Sequence, residues 1–465
     1  MIKILRKMKH NPNLIYIITV IATLGGLLFG YDTAVISGAE KSIQVFLIES
    51  QGLSLFLHGV TVSSALLGCI VGSAISGYLS LGIGRKPALI IAGVLFLLSA
   101  LGSGNPEFLF FERGVPTMGL LWMFNFYRII GGIGVGLASA VCPVYIGEIA
   151  PSEMRGKLVS LNQFAIIFGM LVVYFVNWGI AEGQNIEWIN TIGWRRMFVS
   201  EAIPAAIFTI LMYFMPESPR YLALKSKDTK ALSILTLING ENKAKEIINE
   251  IKSTVETTKS KLYSYGKKVI VIGVLLTVFQ QCVGINVVLY YAPRIFESMG
   301  VAKDASMLQT IIMGLVNVVF TIVAILNVDK WGRKPLLIVG SIGMAIGMIA
   351  ISFLAFLDII GVSTLIFIVV FTASFMMSWG PVCWVLISEI FPNRIRGKGV
   401  ALAVSGIWIS NFLISSTYPP MMEFSSAGTY LFYGVISIIS GIFVWKFVPE
   451  TKGKSLEEIE KFWKP

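Results

Sequence analysis

Glu148-Ile149-Ala150-Pro151-Ser152-Glu153-Met154-Arg155-Gly156-Lys157 returns later in the chain as Glu389-Ile390-Phe391-Pro392-Asn393-Arg394-Ile395-Arg396-Gly397-Lys398, with Glu, Ile, Pro, Arg, Gly and Lys at the same offsets. A repeat of this kind marks a duplicated structural unit. Gly84-Arg85-Lys86-Pro87 likewise returns as Gly332-Arg333-Lys334-Pro335, and Pro216-Glu217-Ser218-Pro219 is echoed by Pro449-Glu450-Thr451. Six apolar segments separate equivalent copies. An even number of crossings gives both copies the same orientation, so the two halves are parallel repeats related by an axis along the membrane normal. The expected fold is all-α, with twelve transmembrane helices in two six-helix halves and a substrate site between them near the midplane.

Composition points the same way. The 465 residues are 55% hydrophobic and 14% charged, with mean hydropathy +0.78. Soluble domains carry about a quarter charged residues, so this is an integral membrane protein. Apolar segments long enough to span a bilayer, roughly 20 residues each, follow one another along the chain. They include Leu14 to Gly38, Ala88 to Gly102 and Val269 to Ala292. Met1 to Asn13 reads as a retained basic tail and not a signal peptide, since no short apolar run with a cleavage site precedes the first span.

The net charge of +11 does not mark a nucleic-acid surface, because the basic residues lie between apolar segments and form no single patch. Thirty of the 37 Lys and Arg fall on the side of the N-terminus, six on the other side, and Arg128 lies inside a span. Positive loops stay in the cytoplasm, so both termini and the central loop are expected there. That loop divides the chain into 1–216, a cytoplasmic linker at 217–268, and 269–465. In it, Ile247, Ile251 and Val255 recur at helical spacing among Lys and Glu, which reads as amphipathic helix. Cys69, Cys142, Cys282 and Cys383 all lie in apolar segments without metal-type spacing, so free thiols are expected.

Two polar features interrupt the apolar segments. Phe279-Gln280-Gln281-Cys282-Val283-Gly284-Ile285-Asn286-Val287-Val288-Leu289-Tyr290-Tyr291 places three amides and two phenols where hydrocarbon tolerates few polar groups. On a straight helix Gln281 and Asn286 point roughly 140° apart, but Gly284 between them and Pro293 beyond offer a break that turns both inward. An uncharged, hydroxyl-rich guest suits this chemistry; hydrogen bonding between helices is the other reading. The second feature is a pair of intramembrane charges, Asp32 and Arg128, which are costly unless paired. A motion that parted them would make the carboxylate take up a proton, which is a coupling switch; a static pair that fixes packing is the alternative. Glu201, placed nearer a membrane surface, is a candidate modulator of the pair.

Arg85, Glu148 and Arg155, with Arg333, Glu389 and Arg396 as their second-half equivalents, are placed to form cytoplasmic ion-pair networks that gate a rocking motion. The first of these loops, Leu81-Gly82-Ile83-Gly84-Arg85, is sparse in charge, so the N-terminal network is expected to be the weaker. An enzyme is not expected: the two histidines, His10 and His58, have no metal-ligand spacing and no nucleophile motif is present. A channel would need rings of filter residues, whereas the amides belong to one half only.

Taken together, the Gly-Arg-Lys loops, the Glu-Ile-x-Pro-x-x-x-Arg-Gly-Lys loops, Pro216-Glu217-Ser218-Pro219-Arg220 and Pro449-Glu450-Thr451-Lys452-Gly453 resemble the sugar porter family of the major facilitator superfamily. Gly25 to Gly38 and Ser378 to Leu386 resemble, more narrowly, its bacterial D-xylose/proton symporters. The resemblance runs from about Ala22 to Trp463. It implies a proton-coupled monosaccharide importer working by alternating access, with D-xylose as the sugar, no cofactor, no metal and no nucleic-acid partner. It further implies a monomer in the bilayer of the bacterial inner membrane. Transport of another monosaccharide such as glucose, uncoupled facilitation, and a non-transporting sugar sensor are the alternatives. The resemblance assigns the pocket to Gln163, Gln280, Gln281, Asn286, Tyr290, Asn317 and Trp384, with Phe29 and Trp408 beside the sugar. It also favours proton coupling, since symporters of the family keep an acid at the position of Asp32. Two positions depart from the pattern: Met170 replaces a glutamine, and Ile407 stands where an amide is common. Both changes bear on which sugar is carried.

Overall fold

The computed structural model describes residues 13–151, 154–255, 263–298, 303–359, 362–392, 395–453, 458–459 and 462–463. The basic tail before Asn13 and the side chains of Arg155 and Val255 lie outside the described residues. Among the described residues, twelve helices are long and apolar enough to cross a membrane. In order they are Leu14–Gln51, Leu55–Gly82, Arg85–Gly104, Met118–Ile149, Lys157–Ala181, Ile186–Phe214, Lys267–Tyr290, Ser306–Val328, Arg333–Phe356, Ser363–Ile387, Lys398–Phe424 and Ser426–Phe447. They are counted below as spans one to twelve. The first runs past Gly38 because its last turns loosen into a π segment, Gln44–Ile48, and a 3-10 turn, Glu49–Gln51. Gly52, at φ 64°, then ends it.

Short connections make successive spans antiparallel. Leu14, Ile149 and Phe447 therefore share one face of the bundle with the helices of the central segment. That face is called here the linker face, and the opposite one the far face. The central segment forms three short helices, Pro219–Leu224, Asp228–Asn239 and Glu241–Val255. Ala231, Leu235 and Ile238 pack with Ala244 and Ile248, while Glu241 and Lys245 pair on the exposed side. In the last helix Ile247 and Ile251 are partly buried and pack against the core, with Ile248 between them the more buried. Tyr221 donates to the Gly82 carbonyl at 3.0 Å and docks the first short helix on span two.

The sequence repeat has an atomic counterpart. Gly84 and Gly332 precede spans three and nine with φ of 117° and 92°, a region that favours glycine. Glu217 closes onto the first helix start, accepting from the backbone N–H groups of Arg85 and Lys86 at 3.1 and 3.2 Å. Glu450 does the same for Arg333 and Lys334, at 3.1 and 3.0 Å. Each helix start thus receives an acceptor for N–H groups that its own turns cannot satisfy, and a negative charge at its positive end. Between the halves, span two packs along span eleven and span five along span eight.

Candidate functional site

Span seven is helical over Lys267–Cys282, stops at Gly284 with φ 88°, and resumes at Ile285–Tyr290. A side chain could not hold that φ without strain, and a Cβ there would meet the Tyr433 ring at 2.8 Å. The break swings Asn286 back over the preceding turn. Its Nδ2 donates to Gln281 Oε1 at 2.5 Å, joining two residues that a straight helix holds on different sides. Gln281 Nε2 donates to Gln280 Oε1 at 3.4 Å, and Gln280 Nε2 to the Trp379 carbonyl at 3.0 Å. The amides are thereby fixed to one another and to the chain around the start of Trp379–Ile390.

These amides form one wall of a narrow cavity between the halves. Spans one and five contribute Phe29, Thr33, Gln163 and Met170; spans seven, ten and eleven contribute the amides, Tyr290, Trp384, Ile407 and Trp408. Phe29 and Trp408 lie 5.5 Å apart between ring centroids, tilted by 56°. Such a pair offers flat apolar surface to the C–H face of a ring-shaped guest, while the amides offer donors and acceptors. Asn317 is buried with no partner for Oδ1, but it is not among the lining residues. Asn411, which the sequence reading missed, lines the cavity and donates to the Tyr290 hydroxyl at 3.3 Å. Its one sequence signal is an amide a single helical turn beyond Trp408. Met170 and Ile407 face the cavity and bring no hydrogen-bonding group to it.

Asp32 and Arg128 pair in the first half, fully buried. Arg128 Nη1 donates to Asp32 Oδ1 at 2.7 Å and Nη2 to the Asp32 backbone carbonyl at 3.1 Å, and the guanidinium lies 5.2 Å from the centre of the Phe198 ring. Asp32 Oδ2 and Arg128 Nε have no partner. Glu201 sits at the joint between Trp194–Ser200 and Ala202–Phe214 and is fully buried, not near a surface as its sequence position implied. Neither of its oxygens meets a donor, and the charges acting on it are Asp32 and Arg128. None of these three residues lines the cavity, whereas Thr33, next to Asp32 in the chain, and Tyr290 do.

On the far face the seam between the halves is shut. Arg294, beyond span seven, donates to Glu40 at 2.8 Å and to Gln44 at 2.6 Å, both in the first half, and Lys41 pairs with Glu297. Glu40 is buried, and its carboxylate also lies 3.2 Å from His58 Nε2. Tyr291 packs against Tyr418 with the rings tilted by 45° and donates to the Ser415 carbonyl at 3.3 Å. The ion pairs seen between the halves among the described residues lie at this face. Towards the linker face, Gln163 and Trp384 keep partial exposure.

The linker-face pairs, by contrast, lie within each half. Arg85 grips Glu148 through Nε and Nη2 at 2.9 and 2.8 Å, and Arg333 grips Glu389 through the same atoms at 3.2 and 2.9 Å. Ser218 and Thr451 donate to the second glutamate oxygen in each case. The first-half pair is the shorter and the more buried of the two; Arg155 and Asp329, which belong to the two networks, have side chains outside the described residues. Tyr221 covers the first-half pair, its ring centre lying 5.3 Å from the Arg85 guanidinium. Arg396 donates to the Phe391 carbonyl at 3.3 Å.

Comparison with known proteins adds to this geometry. The family described as sugar (and other) transporter matches residues 18–463. The D-xylose-proton symporter of Escherichia coli strain K12 is 50% identical over 477 aligned residues, which cover 98% of this chain and 97% of the relative. Two solved structures of XylE, a proton:xylose symporter of the major facilitator superfamily, superpose closely. One, bound to 6-bromo-6-deoxy-D-glucose, has a TM-score of 0.85 at 50% identity, covering 98% of this chain and 100% of that one. The other, from Escherichia coli in an inward-open conformation, has a TM-score of 0.88 at 50% identity and covers 97% and 100%.

Proposed function

This chain belongs to the sugar transporter family, with the major facilitator fold, and is a carrier and not an enzyme; from that premise we propose that it imports D-xylose together with a proton by alternating access. The observation that carries the reading is the pairing of an amide-lined cavity between the halves with a buried Asp32–Arg128 pair one layer away. Phe29, Gln163, Gln280, Gln281, Asn286, Tyr290, Trp384 and Trp408 hold the sugar, with Asn411 added to them and Asn317 behind the wall. In the bilayer of a bacterial inner membrane the linker face, both termini and residues 217–268 lie in the cytoplasm. Residues 1–216 and 269–465 are the two bodies that rock, and one chain suffices.

The energetics favour proton coupling over a static pair. Pulling a buried ion pair apart leaves an uncompensated charge at a cost of about 3–5 kcal/mol. A proton on Asp32 removes the charge attraction that resists separation, and the bond from Arg128 to the Asp32 backbone carbonyl is what remains to be parted. Sugar binding closes the amides of span seven, and Tyr290 carries the movement towards Asp32. Arg85–Glu148 and Arg333–Glu389 act as clamps that keep each half rigid while the cytoplasmic gate works through Arg155 and Arg396. The far-face contacts of Arg294 and Lys41 are the opposing gate.

Uptake of labelled D-xylose into proteoliposomes, with and without an inward proton gradient, tests the reading. Accumulation above equilibrium that needs the gradient supports it; equilibration indifferent to the gradient would leave a facilitator. Met170 and Ile407 favour asking about glucose and other monosaccharides as competitors in the same experiment.

A further inference from the structure

Buried serines in this protein commonly return their hydroxyl hydrogen to a carbonyl one turn back in their own helix, as Ser63, Ser76, Ser341 and Ser437 do. Ser99 and Ser103 of span three do not. Both are fully buried, and neither hydroxyl has a partner. They lie one turn apart on one face of the helix. A Cβ placed on Gly131 would touch Ser99 Oγ and lie 3.2 Å from Asp32 Oδ1, so the serine and the carboxylate border the same small space. In the same layer of the bundle Arg128 Nε is buried without a partner, and the Glu201 and Asp32 carboxyls meet each other with no other donor for Asp32 Oδ2 or the Glu201 oxygens.

On the other side, Gly104 next to Ser103 packs against the Arg195 carbonyl and Val199 of span six. One turn beyond Ser103, Glu107 accepts from both terminal nitrogens of Arg195 at the far face, each residue nearly buried. Unpaired buried polar atoms cost about 1–3 kcal/mol each, and ordered water is the usual remedy. So many in one stretch of one half, outside the lining of the sugar cavity, are groups that bridging water would satisfy.

We infer that Ser99 and Ser103 line a proton path inside the first half, running from the Glu107–Arg195 pair at the far face to Glu201 and Asp32, apart from the sugar cavity. The inference rests on the proton-coupled reading. A proton arrives as hydronium and passes along waters, each hydroxyl accepting from one and donating to the next. It ends on the Asp32 carboxylate, which becomes the neutral acid and leaves water behind. The charged and titratable groups facing the path are Asp32, Tyr31 and Cys69 from spans one and two, Glu107, Arg128 from span four, and Arg195 and Glu201 from span six. Glu107 neutralises Arg195 and so removes the charge that would repel an entering proton. Ser99 and Ser103 act by positioning water.

Ser99→Val and Ser103→Val, with Ser99→Thr as the variant that keeps a hydroxyl, are compared with the unsubstituted protein in proteoliposomes. Two rates are read: gradient-driven D-xylose uptake, and D-xylose counterflow at equal pH, which needs no net proton movement. The valine variants are expected to lose at least about tenfold in the driven rate, in keeping with loss of a proton-transfer group. Counterflow is expected to stay within about twofold of normal, and the threonine variant to restore the driven rate. A driven rate unchanged in the valine variants overturns the path. So does an equal fall in both rates, which would make the serines packing residues. If the unsubstituted protein shows no gradient-driven accumulation, the symport reading itself has failed, and that is visible before any variant is made.

Discussion

Arg128 holds Asp32 twice, once at the side-chain oxygen at 2.7 Å and once at the backbone carbonyl at 3.1 Å. The second bond survives any change of the Asp32 side chain or of its protonation. The pair therefore has a structural strand, which keeps spans one and four in register, and an electrostatic strand, which a proton can cut.

Asp32→Asn separates the two strands. The amide still accepts from Arg128 but cannot take up a proton in the working range. Gradient-driven accumulation of sugar is expected to fall to the equilibrium level while counterflow persists. Loss of counterflow as well would mean that the charge is needed for packing and not for coupling.

Met170→Gln and Ile407→Gln each add a hydrogen-bonding group to an apolar part of the cavity wall. A new hydrogen bond contributes about 0.5–1.5 kcal/mol, a change of roughly two- to tenfold in affinity for the sugar whose hydroxyl it meets. The order in which monosaccharides compete with labelled D-xylose should change. An unchanged order would show that these positions do not set preference.

Arg294→Ala removes the cation that joins Glu40 and Gln44 across the far-face seam. Its side chain is about a third exposed, so solvent screens part of the attraction and about 1 kcal/mol is a fair allowance. That corresponds to a severalfold shift towards a far-face-open population. Spin labels at the far ends of spans two and eleven should show a longer distance component growing in the variant; an identical distance distribution would exclude a latch.

Glu217 supplies the pH dependence outside the membrane. Burial raises its carboxyl above the usual value of 4.5, outweighing the bonds from the Ser218, Lys86 and Arg85 N–H groups and the charge of Arg85. A folded state that holds the proton more tightly than the unfolded one gains from it at low pH. The gain fades as pH rises from about 4.5 through the folded value. Glu217→Gln, which still accepts the N–H bonds, should flatten this part of the profile of Tm against pH. Glu217→Ala leaves those donors without an acceptor and should cost about 1–3 kcal/mol.

Gly284→Ala forces a left-handed backbone on a residue with a Cβ, at about 1–2 kcal/mol, and presses on the Tyr433 ring. Lower thermal stability and weaker sugar binding should appear together, because the same turn aims Asn286 at Gln281. Full binding in a destabilised variant would separate the two roles.

The repeated Glu-Ile-x-Pro and Gly-Arg-Lys loops and the run of apolar segments were enough to read twelve spans in two parallel sets, since hydrocarbon admits few other arrangements of such segments. The break at Gly284 was also legible, because a glycine among clustered amides has a local conformational meaning. Asn411 was not, although it is polar and mid-span, because a lone amide does not disclose whether it faces a cavity or another helix. The burial of Glu201 was missed for the same kind of reason. Its distance along the sequence from a loop did not reveal that the sixth span is jointed there.

What the sequence by itself determined was the number and order of the spans, the parallel setting of the two halves and the presence of buried charges and amides. Each of these follows from local hydropathy and the repeat. Only the tertiary structure decided which polar groups meet. It joined Glu40 to Arg294 across the halves, kept Arg85–Glu148 within one half, put Asn317 behind the wall, and left Ser99 and Ser103 without partners, Ser99 near Asp32. The physical reason is that the rotation of each helix about its axis is set by packing against its neighbours, and hydrophobicity in a bilayer is too uniform to fix it.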